Sequence, residues 1–109
     1  MYIYNVTTNI QEDVHDQWLE WMKNEHIPEM LKTGKFSKAL MSRVMVEEEM
    51  GGFTYSVQYT AENKEMLQRY YTENSAELRS KSKPFEGKFI VFRTEMKVVE
   101  ELYNEKGEE

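Results

Sequence analysis

The sequence predicts one α+β domain of the ferredoxin-like sandwich type, with six elements in the order βαββαβ. Three features point to it. Aromatic and β-branched residues alternate with polar ones at residues 2–10 and 53–60, the pattern of strands with one buried face. After each of these segments the apolar period lengthens to that of a helix. Between the second and third strands lies a short charged loop ending in Gly51-Gly52, which suits a hairpin.

The elements follow in order. The first strand, YIYNVTTNI, sets Tyr2, Tyr4 and Val6 against Ile3, Asn5 and Thr7. In the next segment Val14, Trp18, Trp21 and Met22 fall at helical spacing, and Glu12 and Asp13 suit the positive helix start. Pro28 disfavours helical geometry at Ile27, so a break or kink is expected near Glu25-His26-Ile27. Glu29 to Lys32 adds a turn, and Thr33-Gly34 closes the element. A second strand is expected from Phe36 to about Val46, then a hairpin loop from Glu47 to Gly52 and a third strand from Phe53. Asn63 is the expected N-cap of a second helix bearing Leu67, Tyr70, Tyr71 and Leu78, interrupted near Asn74-Ser75 and ended by Pro84. Gly87 precedes the last strand, Lys88 to Met96.

This order restricts the topology. A right-handed crossover makes the first two strands parallel, and the hairpin sets the third beside the second. The third strand then fills the gap next to the first, and the fourth lies on the first strand's far side. The result is a four-stranded antiparallel sheet of order 4-1-3-2 with two helices on one face. Residues 1–97 form this domain, and residues 98–109 are expected to be an acidic C-terminal tail. That tail begins before a run with five glutamates against Lys106, so most of the net charge of −6 belongs to it.

Composition excludes several classes of function. With no cysteine there is no disulfide, thiolate nucleophile or cysteine-ligated metal. An acidic chain without a basic stripe is a poor partner for nucleic acid or anionic membranes. The N-terminus lacks the basic and apolar regions of a signal peptide, and no stretch approaches a membrane span, so a soluble, cytoplasmic protein is expected. Two histidines without an HxxxH pair predict no metal site. No glycine-rich loop, GxSxG or EF-hand pattern occurs, and no cofactor is implied.

The sheet pattern bears on assembly. One face is expected to pack on the helices through Tyr4, Val6, Tyr55, Val57 and Tyr59. The other is polar at its centre (Asn5, Thr7, Ser56, Gln58) but apolar on its edge strands, where Met41, Met45, Ile90 and Phe92 are expected. Such flanks predict a homodimer packed through the sheet face. The alternative is that Val98 to Tyr103 folds back over the sheet within one monomer.

The combination IYNVT, WLEWM followed by HIPEM, YSVQYT and FRTEM resembles a family of small bacterial proteins known as a domain of unknown function. The resemblance runs from about Ile3 to Met96. That family is similar to the dimeric α+β barrel superfamily, so the resemblance implies the fold and the dimer. It implies no reaction. Superfamily relatives include cofactor-independent monooxygenases, haem-handling proteins and isomerases, each with a cleft between helices and sheet, an analogy at the level of fold alone.

A small-molecule site in that cleft would draw on His26, Trp18, Tyr4, Tyr55, Tyr59, Tyr71 and Arg93. His26 sits at the expected helix break, where it either turns inward as an acid, base or hydrogen-bond donor, or caps free helix carbonyls. The tyrosines, with Tyr70, either converge on a ligand or fill a core with hydroxyls at its rim. Trp18 and Trp21 are core residues or the wall of a binding site. Arg43 and Arg93 interrupt apolar strands, either to bind a carboxylate or to pair with Glu95 or another acid across an interface. His15 is expected at the surface. The two classes of function left open are a small-molecule binder or cofactor-independent enzyme, and a non-catalytic dimeric domain with a filled core.

Overall fold

The computed structural model describes residues 1–47, 49 and 51–105. Its centre is the first strand, β1 (Tyr2–Ile10), hydrogen-bonded on both sides. One neighbour is β3 (Phe53–Ala61) and the other is β4 (Phe89–Lys97), both antiparallel to it. The short edge strand β2 (Lys38–Arg43) pairs with β3, giving the order β2-β3-β1-β4. This is the predicted ferredoxin-like α+β sheet.

The register assigns every side chain to a face. Tyr4 lies opposite Tyr59 and Val6 opposite Val57, and these point toward the helices and are largely buried. Asn5 opposes Gln58 and Thr7 opposes Ser56 on the open face, where Ser56 Oγ donates to Asn5 Oδ1 at 2.6 Å.

Two expectations about β2 change. Met41 pairs with Val57 and packs on the helix side against the core, while Leu40 takes the open face. Phe36 precedes the strand rather than belonging to it, so its buried position does not propagate along the strand by alternation. Met45 lies beyond the end of β2 and is exposed. The apolar flanks of the open face are therefore Leu40 on one edge and Ile90, Phe92 and Met96 on the other, all exposed. The predicted hairpin loop includes Glu48 and Met50, outside the described residues. Its end is fixed by Gly52, at φ +80°, where an added Cβ would stand 2.5 Å from the Ile10 carbonyl oxygen.

The first helical segment departs from expectation most. A 3-10 turn at Glu12–Val14 leads into α1 (His15–Trp21), then one π turn (Met22–His26), then α2 (Ile27–Lys32). Pro28 does not break the helix. It occupies the first turn of α2, where its missing N–H is tolerated, and the wider π turn before it absorbs the lost hydrogen bond. Gly34, at φ +77°, ends the element, its N–H bonded to the Leu31 carbonyl at 3.1 Å.

The second helical segment follows the sequence closely. Asn63 caps α3 (Lys64–Glu73) by accepting from the Met66 N–H at 2.9 Å. Asn74 separates α3 from α4 (Ser75–Ser80), and a 3-10 turn at Lys83–Phe85 carries Pro84. Lys35 is buried at this junction, with Nζ 3.0 Å from Glu73 Oε1 and donating to Asn74 Oδ1 at 3.1 Å, and so ties the two helical segments together.

Beyond β4 the described residues 98–105 have no regular structure. The Val98 N–H bonds the Met1 carbonyl, but Val99, Leu102 and Tyr103 are exposed, so this segment does not fold back over the sheet. Lys106 to Glu109 lie outside the described residues.

Trp18, at 3 % exposure, fills the space between α1 and Tyr55. Trp18→Ala is expected to cost about 3–5 kcal/mol in urea unfolding, as for other large truncations in cores. The two glycines provide a second check. Gly34→Ala meets only the left-handed backbone penalty of about 1 kcal/mol. Gly52→Ala adds a collision with backbone, so it should lower the urea midpoint clearly more.

Candidate functional site

The helices do not close completely on the sheet. A cavity of about 70 Å³ remains between them. Its floor comes from β1 through Tyr4, Val6 and Thr8, with Tyr59 from β3 and Phe89, Val91 and Arg93 from β4. Its roof comes from the first helical segment through Trp18, Trp21, Met22, His26 and Met30. The second supplies Tyr70, Leu78, Arg79 and Ser82. Arg79, Ser82 and Phe89 also line a shallower outer hollow of about 280 Å³, so the inner space borders the outer one at these three residues.

His26 faces this space because the helix continues past it. Its ring stacks on Trp21, with centroids 4.8 Å apart and planes within 23°. It caps nothing, since the helix runs on into α2, and its buried Nδ1 has no hydrogen-bond partner. Burial holds its pKa down at about 4, with nearby Lys81 and Arg93 acting in the same direction against the pull of Glu29. The imidazole is thus neutral near pH 7. Glu29 is itself paired with Lys81 at 3.2 Å, a bridge between α2 and α4 across the roof.

The tyrosines form a connected cluster. Tyr4 packs against Tyr59, Tyr70, Tyr71 and Phe36, with centroids between 5.5 and 6.2 Å away. Its hydroxyl accepts a hydrogen bond from Arg79 Nη2 at 3.1 Å. Burial pushes the Tyr70 phenol up to about 12, reinforced by Tyr4, and raises Tyr59 further for the same reason. Tyr71 is also raised, by burial and by its hydrogen bond to Glu95, to which it donates at 2.6 Å. These phenols stay protonated at physiological pH and serve as hydrogen-bonding groups rather than bases.

Of the seven residues singled out by sequence, His26, Trp18, Tyr4, Tyr59 and Arg93 line the cavity. Tyr71 stands behind Tyr4, edge-on to its ring, and Tyr55 lies apart. Tyr55 is engaged by His15, whose Nε2 is 2.7 Å from the Tyr55 hydroxyl. His15 is therefore not a surface residue: its side chain is 14 % exposed and its ring packs against Phe53. Within one chain, among the described residues, Glu95 is not paired with an arginine. Arg43 instead lies over the Phe53 ring, 4.4 Å from its centroid, and Glu95 accepts from Tyr71. Arg79 was missed by sequence reading. It stands eight positions after Tyr71, the spacing that relates Leu78 to Tyr70, so the helical count was the signal that could have found it.

Among the described residues, no group of three or more histidine, aspartate or glutamate side chains is placed to hold a metal ion. No helix among them is long and apolar enough to cross a membrane.

A family model for a domain of unknown function, DUF4286, matches residues 1–99. The chain belongs to the DUF4286 family. No curated protein matches it. Among solved structures, it is similar to a dimeric ferredoxin-like protein from an uncultured marine organism, at 18 % identity and a TM-score of 0.69, covering 95 % of this chain and 100 % of that one. It is similar also to an ethyl tert-butyl ether D (EthD) family protein of Bacillus halodurans, at 19 % identity and a TM-score of 0.67, covering 91 % of this chain and all of that one. An antibiotic biosynthesis monooxygenase aligns at 12 % identity and a TM-score of 0.58, covering 92 % of this chain and 100 % of that one. Identities this low establish the ferredoxin-like fold of this DUF4286 chain and nothing finer.

The neutral state of His26 makes stability depend on pH. Unfolding returns the imidazole to its ordinary pKa near 6.5, so between that value and about 4 the unfolded chain binds the extra proton. Stability carried by His26 is then present at pH 7 and lost as pH falls, by about 2 kcal/mol from pH 7 to pH 5. The expected result is a steeper loss of urea stability over that range in the native protein than in His26→Gln.

Proposed function

We propose that this DUF4286 protein binds a small, largely apolar molecule in the cavity between helices and sheet. The observation that carries this reading is the lining. Aromatic rings from both helical segments and from the sheet surround a neutral buried histidine with an unsatisfied nitrogen, beside a route to solvent at Arg79, Ser82 and Phe89. A filled core would leave neither the space nor the unpaired polar atom. At about 70 Å³ the space is smaller than the roughly 150 Å³ that holds benzene. Two of its walls, Met22 and Met30, are unbranched thioethers that repack readily around a guest. A binding role is the core of the reading. Cofactor-independent catalysis is its extension, with His26 as the titrating group in reach of the guest.

The protein is further proposed to act as a homodimer packed through its open sheet face. Support comes from the exposed flanks Leu40, Ile90, Phe92 and Met96, which no segment of the described chain covers. Relatives in structure described as dimeric ferredoxin-like proteins support it too.

Two measurements check these readings. Indole or phenol should produce a saturable change in tryptophan fluorescence, because Trp18 and Trp21 line the cavity. Val91→Phe, which fills the floor, should abolish that change. No saturable change, or one unaffected by Val91→Phe, would leave a non-catalytic domain without a ligand as the better description. For the assembly, light scattering at tens of micromolar should give a dimer mass for the native chain and a monomer mass for Phe92→Asp.

A further inference from the structure

The charges around the cavity are unevenly distributed. Its lining includes two guanidinium groups, Arg79 and Arg93, and no carboxylate. Among the described residues, neither arginine forms an ion pair. Both are solvent-exposed residues whose side chains reach the cavity wall. The nearest acid on the same face of β4 is Glu95, two positions from Arg93, and its carboxylate accepts from Tyr71. The outer hollow adds Lys83 and one acid, Glu86.

Arg79 is also held in place. Its Nη2 donates to the Tyr4 hydroxyl, on a ring that is 2 % exposed and fixed by its neighbours. That bond occupies one of the five N–H donors of the guanidinium, leaving a fork able to grip a planar anion. Both arginines line the same cavity as the Tyr70 ring. An oriented guanidinium and a second one lining the same aromatic-walled space match a planar anion attached to an apolar ring.

We infer that Arg79 and Arg93 form the anion-holding end of this cavity, and that its ligand is a small aromatic carboxylate. The carboxylate lies between the two guanidinium groups, and the ring points inward toward Trp18 and Trp21. The inference rests on the proposed small-molecule site and adds the chemical class of its occupant.

The experiment compares benzoate with benzyl alcohol, which carries a similar ring without the charge. Binding of each at pH 7 is measured by calorimetry and by tryptophan fluorescence. The proteins are the native chain, Arg79→Gln, Arg93→Gln and Arg79→Lys, each first checked for native circular dichroism. Benzoate is expected to bind the native protein at least about tenfold more tightly than benzyl alcohol, the margin given by a charge-assisted hydrogen bond. Each glutamine variant should weaken benzoate by about tenfold or more and leave benzyl alcohol within about twofold. Arg79→Lys should retain part of the benzoate affinity, since it keeps the charge but loses the planar fork. Should benzyl alcohol bind as well as benzoate, or benzoate bind the glutamine variants undiminished, the anion site is wrong while the cavity reading stands. Should neither compound bind the native protein, both readings fall together.

Discussion

Most of the structure is arranged around the burial of one phenol. Tyr4 sits at the middle of the central strand, opposite Tyr59 in the register, and is 2 % exposed. A ring there gains the full apolar benefit of burial, but its hydroxyl cannot be left without a partner at a cost of about 1–3 kcal/mol. The fold answers by bringing Arg79 from α4 over the sheet to donate to it. The rings of Tyr70, Tyr71, Tyr59 and Phe36 then pack around the same phenol from three different elements. The position of α4, the orientation of a charged group at the cavity mouth and the packing of the aromatic core all follow from one buried oxygen.

Charge follows a related pattern. The interior groups that could ionise, His26 and the phenols of Tyr59 and Tyr70, are pushed by burial toward their neutral forms. Full charges sit at the boundary, where Lys35 meets Glu73, Lys81 meets Glu29 and Lys88 meets Asp13. Each of these pairs joins separate parts of the chain and keeps at least one partner in contact with water, the buried Lys35 through Glu73, which limits the desolvation that would otherwise offset its attraction.

The sequence disclosed the parts of this design that depend on local rules. Alternation along residues 53–60, the Asn63 cap, the interruption at Asn74 and the strand order all follow from spacing or side-chain chemistry, and the structure has them. Two kinds of information were hidden. The facing of β2 was misread because Phe36 looks like a strand residue yet belongs to the preceding turn, which put Met41 on the wrong side. Of the break or kink expected near Pro28, the break is absent, because the proline falls in the first turn of α2, while a local irregularity is there as the π turn ending at His26. Of the cavity, His26, Tyr4 and the tryptophans were legible from their type and place. Arg79 was not, since its role depends on a hydrogen bond across 75 positions of chain.

The π turn at Met22–His26 has a consequence for how this protein can vary. A π turn is an α-helix carrying one surplus residue. Its presence rotates everything downstream by roughly a hundred degrees, the angle of one residue in a 3.6-fold winding. The azimuth of His26 and Met30 against the sheet is thus set by a residue count rather than by any side chain. Shortening this stretch by a single residue would leave two perfectly good helices and swing both groups around the barrel of the helix, out of the space they now line. In this fold a change of length by one is a change of direction, and it can reshape the cavity without altering the identity of any residue in its wall.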